Sequence, residues 1–294
     1  MIYDPHIIAS PGKKILLGEY DTNYTGVFTS KGQAKHKLKE DIKKLKILQD
    51  KLFAHNKFAL LMIFQAMDAA GKDGTIKHVM SGINPQGCQV YSFKKPSDEE
   101  LDHDYLWRTY KCLPERGMIG IFNRSYYEEV LVVRVHPEIL FREQLPGITR
   151  LSKINPFFWE KRYKQINNME RHLVENGTII LKFFLHISKE EQKKRFLERI
   201  NNPDKNWKFT LNDIEERKYW DKYQKAFEEV IYQTSTEFAP WYIIPADKKW
   251  YMRTVVGDII VHALESLPLK YPVVSTAKRK DLQKAKELLL NETN

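Results

Sequence analysis

Cysteine is scarce in this chain: Cys88 and Cys112 are the only two among 294 residues. They form neither a close metal-binding pair nor a disulfide framework, which points to a reducing, cytoplasmic setting. Long apolar runs are missing too, and none approaches the roughly 20 residues needed to span a bilayer. The opening Met1-Ile2-Tyr3-Asp4-Pro5-His6 lacks the charged and apolar zones of a signal peptide. No membrane partner is expected. The nine histidines include no His-Glu-x-x-His and no clustered zinc spacing, and no Gly-x-Ser-x-Gly elbow occurs, so zincin and α/β-hydrolase chemistry have no motif here. With no internal repeat, low-complexity tract or Gly/Ser linker, residues 1–294 read as one domain.

Positive charge, by contrast, is in excess. Forty-eight Lys and Arg against 38 Asp and Glu give +10, which favours a polyanionic substrate or partner. A merely soluble basic surface would give the same figure. The basic residues are scattered and the aromatics mostly occupy core-like helix positions, so nucleic acid is not an expected partner.

The most informative segment is Ala66-Met67-Asp68-Ala69-Ala70-Gly71-Lys72-Asp73-Gly74, which follows the apolar run Leu60–Phe64. It looks like a phosphate-binding loop with two changes, with an ordinary surface lysine as the alternative for Lys72. The usual pattern is Gly, four residues, then Gly-Lys-Ser/Thr, in which backbone N–H groups cradle phosphate, the lysine reaches the outer phosphates and the hydroxyl holds Mg²⁺. Here Ala66 replaces the first glycine and Asp73 the hydroxyl. Asp68 adds a second carboxylate, and two negative groups would repel phosphate unless cations intervene, so bound Mg²⁺ is the simplest resolution, with Mn²⁺ as the alternative. Asp68 and Asp73 are also good turn and helix-cap residues, which is their plain structural alternative.

Around the loop, apolar runs and helical periodicities alternate. Residues 1–30, with Pro5, Pro11, Gly12, Gly18 and Gly26, read as an extended surface arm. Leu38, Ile42, Leu45, Leu48 and Leu52 mark an amphipathic helix over 31–55 with solvated lysines. Further strands are expected at Val90–Phe93, Met118–Phe122, Ile179–Leu185 and Trp241–Ile244. Capping boxes at Ser97/Glu100 and Ser188/Glu191 open helices, the first carrying Leu101, Tyr105, Leu106 and Trp107. Asn155-Pro156 starts another, Val256–Leu267 carries the last core helix, and a terminal helix is expected over 275–294. Residues 201–222 break the alternation and read as a lid insertion. This order predicts an α/β fold with a mainly parallel five-stranded sheet covered on both faces.

Other candidates follow from that frame. Asn123-Arg124-Ser125 ends a strand, at the edge where open α/β sheets bind ligands. An Asp there commonly helps hold Mg²⁺, so Asn123 joins Asp68 and Asp73 as a candidate metal-site residue, with a turn role as its alternative. Arg124 is placed for bidentate phosphate contact. Glu128 and Glu129 follow, and spacing does not choose between them. Arg195 and Arg199 share a helix face and lead into the lid, where mobile arginines would meet phosphate oxygens; surface ion pairs with Glu198 and its neighbours are the alternative. The wider phosphate- and nucleotide-binding set comprises Ala69, Ala70, Gly71, Lys72, Gly74, Thr75 and Lys77 on the loop and its helix. Arg134 and Lys208 complete it. Lys205, Arg217 and Lys218 are weaker candidates, and Pro245-Ala246-Asp247 lines a base pocket or forms a turn.

Taken together, Phe64–Gly74, Asn84-Pro85-Gln86-Gly87, Phe122-Asn123-Arg124-Ser125 and Asn206-Trp207-Lys208-Phe209 resemble the family-2 polyphosphate kinases, from about residue 30 to about residue 270. The Asp after Gly-Lys is the most specific element. The resemblance implies a P-loop nucleotide-kinase-like three-layer sandwich with a helical lid, a divalent metal, and reversible phosphoryl transfer between inorganic polyphosphate and nucleotides. Asp68, Lys72, Asp73 and Arg124 match the family's phosphate and metal motifs, and Arg195 and Arg199 match its lid arginines more loosely. Much of the family has Asp where this chain has Asn123. Together with Glu128, that departure resembles the branch acting on nucleoside mono- and diphosphates, so AMP and ADP are the expected acceptors, guanine nucleotides are open, and a homo-oligomer is expected. An ATP-dependent small-molecule kinase of the same fold and a non-catalytic polyanion-binding protein are the competing readings.

Overall fold

The computed structural model describes residues 5–292, so the first four residues of the expected arm and the last two of the expected terminal helix lie outside the described residues. The chain runs β1 (Ile8–Ala9), α1 (Lys31–His55), β2 (Ala59–Ala66), α2 (Lys72–Val79), β3 (Cys88–Ser92), α3 (Asp98–Leu101) and α4 (Trp107–Tyr110). It continues through β4 (Ile119–Asn123), α5 (Glu128–Val135), α6 (Pro156–Glu175), β5 (Thr178–His186) and α7 (Lys189–Ile200). α8 (Leu211–Lys218), α9 (Trp220–Thr234), β6 (Trp241–Pro245), α10 (Lys249–Glu265) and α11 (Thr276–Leu290) complete it.

The sheet order is β1-β6-β5-β2-β4-β3, parallel throughout except for β1. β2 lies centrally, paired with β4 and β5, and Leu60 to Ile63 are wholly buried. A strand covered on both faces has no reason to alternate, which explains its continuous apolar run. Its carboxyl end delivers the phosphate loop.

The sheet has six strands rather than the expected five. The extra one is two residues of the N-terminal arm, with Ile8 opposite Tyr242 and Ala9 opposite Trp241. A two-residue strand has no period to detect. The arm is also more than a surface wrap: Ile7, Ile15, Leu17 and Phe28 are buried in the core, and β1 covers the otherwise open edge of β6.

Local signals explain most helix ends. Ser30 caps α1 by accepting from the Gln33 N–H, and Asn56, at φ 50°, closes it in the left-handed conformation that Asn tolerates. Asn155 caps α6 with Pro156 in the first turn. The box at Ser97/Glu100 forms, yet the helix stops at Leu101 and restarts at Trp107. The Asp104 carboxylate accepts the Leu106 N–H at 3.0 Å, offering the backbone a local alternative to helix. At α7, Ser188 caps as expected but Glu191 does not close the box. The Ser188 N–H donates to Asp247 Oδ1 at 2.8 Å and the Glu191 carboxylate accepts from Arg195 Nε at 2.8 Å.

The lysines of α1 are not all solvated. Lys37 pairs with both Asp41 and Asp258 where α1 packs on α10, and an added Cβ at Gly257 would meet Leu38 Cδ1 at 3.1 Å. In the 201–222 segment, Trp207 and Leu211 are exposed, whereas Trp220 is buried in α9, so the exposed part ends near α8. α11 is exposed along its described length. Among the described residues, no helix is long and apolar enough to cross a membrane.

Candidate active site

The loop between β2 and α2 turns through two left-handed residues, Ala69 at φ 60° and Gly71 at φ 107°. An added side chain at Gly71 would be strained by its backbone and crowded by Met252 Cε at 3.3 Å. Lys72 opens α2 and folds back so that Nζ donates to the Ala66 carbonyl at 3.2 Å. Burial, and then the Arg124 guanidinium, lower its pKa, while Asp68, Glu128 and Asp73 act the other way. Thr75 is buried and its hydroxyl donates to the Gly71 carbonyl at 3.0 Å, so it stabilises the turn from within rather than presenting a phosphate ligand. Lys77 is exposed on α2.

The end of β4 holds both loop carboxylates. Asn123 Nδ2 donates to Asp73 Oδ1 at 2.8 Å, and Arg124 Nη2 donates to Asp68 Oδ1 at 3.1 Å. Arg124 reaches Asp68 from a left-handed backbone, φ 66°, pinned by its N–H on the Phe64 carbonyl at 3.0 Å. Burial would raise the Asp73 pKa, but the Asn123 hydrogen bond and the Lys208 and Lys72 charges outweigh it, and the net shift is downward. Lys208 Nζ, from the segment expected to form a lid, lies 3.7 Å from Asp73 Oδ2. For Arg124, burial is outweighed by the Glu128 and Asp68 charges, which raise its pKa.

A cavity of about 580 Å³, within the range of small-molecule sites, opens beside Asp68, Arg124 and Glu128. Lys94, Lys95, Pro96, Tyr105 and Arg108 line it from the segment after β3, and Asn212, Asp213, Glu216 and Arg217 line it from α8. Glu128 and Glu129 both face it but differ in company. Burial raises the Glu128 pKa against the pull of Arg124 and Lys72. Glu129 belongs to a second network: Arg108 Nη2 is 3.9 Å and Arg162 Nη1 3.6 Å from its carboxylate, and burial, then Glu143, push its pKa up to about 7. The residue of the pair beside Lys72, Arg124 and Asp68 is therefore Glu128.

Two expected arginines are engaged elsewhere. Arg134 donates to Glu229 at 2.8 Å and lies over the Trp159 ring, away from the loop. Arg195 is not a mobile lid group: it is buried, and all five of its N–H groups face acceptors. Nε meets Glu191 at 2.8 Å, Nη1 the carbonyls of Ala69 at 3.1 Å and Ala70 at 2.7 Å, and Nη2 those of Ala246 at 2.6 Å and Asp247 at 3.0 Å. Only Arg199, half-exposed against Phe196, remains near the lid. Asp247 neither lines the cavity nor forms a simple turn, because its carboxylate ties Thr22 Oγ1 at 2.8 Å to the start of α7.

Sequence reasoning missed several neighbours. Lys94-Lys95 follow β3 as Asn123-Arg124 follow β4, and the same strand-end rule would have found them. Gln192, buried in α7, donates to the Asp68 carbonyl at 3.0 Å and accepts from Arg217 Nη1 at 2.6 Å. Arg253 approaches the loop helix, 3.5 Å from where a Gly74 Cβ would stand; its Nε has no hydrogen-bond partner, and burial and Arg195 lower its pKa. Like charges thus gather, partly buried, beside the loop helix.

Among the described residues no three or more His, Cys, Asp or Glu gather as a metal cage. Asp68 and Asp73 supply two carboxylates on one loop, and Asp73 is largely exposed. That donor set suits an ion such as Mg²⁺, which takes one or two carboxylates and completes its shell with water and phosphate oxygens.

Known proteins resemble this chain in sequence and in fold. A family model described as "Polyphosphate kinase 2 (PPK2)" matches residues 28–271. An ADP-polyphosphate phosphotransferase of Rhodopseudomonas palustris is 54% identical over 279 residues, 95% of this chain and 96% of that protein. An AMP/ADP-polyphosphate phosphotransferase of Meiothermus ruber is 45% identical over 271 residues, covering 92% and 96% of the two chains. The crystal structure of Polyphosphate Kinase 2 from Arthrobacter aurescens TC1 superposes with a TM-score of 0.84 at 39% identity, covering 97% of this chain and 98% of that one. With sequence and fold in agreement along nearly its whole length, this chain belongs to the polyphosphate kinase 2 family.

Proposed function

We propose that this enzyme transfers the terminal phosphoryl group of inorganic polyphosphate to AMP and ADP, giving ADP and ATP, and runs the same step in reverse. The observation that carries the reading is the double grip of β4 on the loop, Asn123 on Asp73 and Arg124 on Asp68. It sets one carboxylate toward the 580 Å³ cavity and the other toward the lid's Lys208, so that two phosphate chains can meet across Lys72. The names of the two relatives, one for ADP and one for AMP and ADP, support both acceptors.

The chemistry asks little of a base. An acceptor phosphate has a second pKa near about 6 and is largely ionised at neutral pH. Its oxygen attacks the terminal phosphorus of polyphosphate, the P–O bond to the next phosphate breaks, and that oxygen leaves on the shortened chain. The barrier lies in aligning two polyanions, which positioned cations lower. Lys72 and Arg124 face the transferring group, Lys94, Lys95 and Arg217 hold the acceptor, and Arg199, Lys208 and Arg253 hold the donor. Glu128, close to Arg124, favours the monophosphate by limiting negative charge at the inner end of the cavity. Mg²⁺, with Mn²⁺ as substitute, would be held by Asp68 and Asp73 with Asn123 ordering its water, and when bound it supplies charge neutralisation of the phosphates. The two free cysteines are compatible with the proposed cytoplasmic setting.

The test is direct: purified protein with polyphosphate, divalent metal, and AMP or ADP should yield ADP or ATP. Absence of product from every nucleotide, including GMP and GDP, would sink the proposal.

A further inference from the structure

Helix α7 grips three consecutive carbonyls of the phosphate loop. Gln192 takes that of Asp68 at 3.0 Å, and Arg195, three residues on and on the same helix face, takes those of Ala69 at 3.1 Å and Ala70 at 2.7 Å. The same guanidinium reaches back to the Ala246 and Asp247 carbonyls after β6, and Glu191 fixes its third edge. A peptide plane carries its N–H opposite its C=O, so holding these carbonyls on the α7 side leaves the loop N–H groups turned toward the phosphate side.

The grip falls where the backbone resists. Ala69 sits at φ 60°, a conformation natural to glycine and strained for alanine. Loops of this kind use glycine for such bends. Here the conformation is imposed from outside, by a side chain with no donor to spare for substrate.

We propose that Arg195, with Gln192, is a positioning residue that moulds the phosphate loop by holding Ala69 in its left-handed conformation, and that it does not bind phosphate. The inference rests on the phosphoryl-transfer reading for its kinetic arm only. Arg195→Lys keeps the charge but cannot span four carbonyls, whereas Ala69→Gly removes the need for the grip. The expected result is a kcat roughly 10- to 100-fold lower in Arg195→Lys with little change in KM for polyphosphate, and recovery of most of that loss in the Arg195→Lys/Ala69→Gly double variant. A loss confined to the polyphosphate KM, unrelieved by Ala69→Gly, would overturn the proposal in favour of direct phosphate contact.

Hydrogen exchange of the 66–74 segment provides an arm independent of turnover. Exchange should quicken in both Arg195→Lys and Arg195→Gln; unchanged protection in both overturns the proposal even if the protein transfers no phosphate. Should the Arg195 variants fail to fold, Ala69→Val, whose branched side chain resists a positive φ, replaces them. It should loosen the loop with Arg195 intact, and wild-type exchange in that variant would overturn the proposal.

Discussion

Asn123 donates to Asp73 at 2.8 Å, and against the effect of burial this neutral amide at the end of β4, with the Lys208 and Lys72 charges, holds the carboxyl below its ordinary pKa. Removing the donor should raise the Asp73 pKa toward its ordinary value. An Asn123→Ala variant should therefore show the acid limb of its kcat/KM profile displaced to higher pH, with about tenfold lower activity at neutral pH. A superimposable pH profile would show that Asp73 does not need this hydrogen bond.

On the proposed reading, Lys72 bears on the transferring charge itself. Losing one preorganised donor to a developing oxyanion costs about 10²–10³ in kcat, so Lys72→Ala should lose at least that much. Because the wild-type ammonium is disfavoured by burial, its removal should leave Tm nearly unchanged. Near-normal turnover in the folded variant would refute the assignment.

Glu128 is where acceptor choice is expected. Its carboxylate lies near Arg124, Lys72 and Asp68, at the phosphate end of the cavity. Glu128→Ala should lower kcat/KM for AMP several-fold more than for ADP, about 1 kcal/mol of discrimination or more. Equal losses on the two acceptors would remove Glu128 from that role.

The parts legible in the sequence are those with local signatures. The run Leu60–Ile63 names a buried strand, Asn155-Pro156 a helix start, and Gly71-Lys72-Asp73 the turn that opens the next helix, because each depends on neighbours in the chain. Ile8–Ala9 joins the sheet through Tyr242 and Trp241, more than 200 positions away by sequence number, and nothing local marks it. Arg195 shows the same limit in the site. Its helical spacing with Arg199 is real, but whether an arginine faces substrate or backbone carbonyls is decided by Ala69, Ala70, Ala246 and Asp247. Arg253 reaches the loop from α10 in the same way.

A buried ionic knot ties β5 to α6. Lys182 Nζ donates to Glu170 Oε2 and the Thr234 carbonyl, each at 2.6 Å, while Tyr126 and Tyr127 donate to Glu170 Oε1 at 2.8 and 2.7 Å. Breaking one partner strands the other buried without its counter-charge, which costs about 3–5 kcal/mol. Lys182→Met or Glu170→Leu alone should lower Tm sharply, and the double variant should be less destabilised than the sum of the two. Strict additivity would show the pair to be uncoupled.

His186 predicts how the fold responds to acid. It is buried at the end of β5, its Nε2 lies 3.2 Å from the Leu17 carbonyl, and its Nδ1 has no hydrogen-bond partner. Burial lowers its pKa, against smaller opposing contributions from the Leu17 and Tyr20 backbone and the Asp247 charge. Below the ordinary histidine value of about 6.5 the unfolded chain gains a proton that the folded chain refuses, so stability falls with pH, at up to about 1.4 kcal/mol per unit, until the folded pKa is reached. Above about 6.5 both states are neutral and this group contributes no slope. Urea unfolding of the wild type and of His186→Phe between pH 7 and about pH 5 should therefore diverge, with the variant losing less stability on acidification. The arm should report it first, since Leu17 is the residue His186 holds. Parallel pH dependences would mean that His186 takes up its proton in the folded protein as readily as in the unfolded chain.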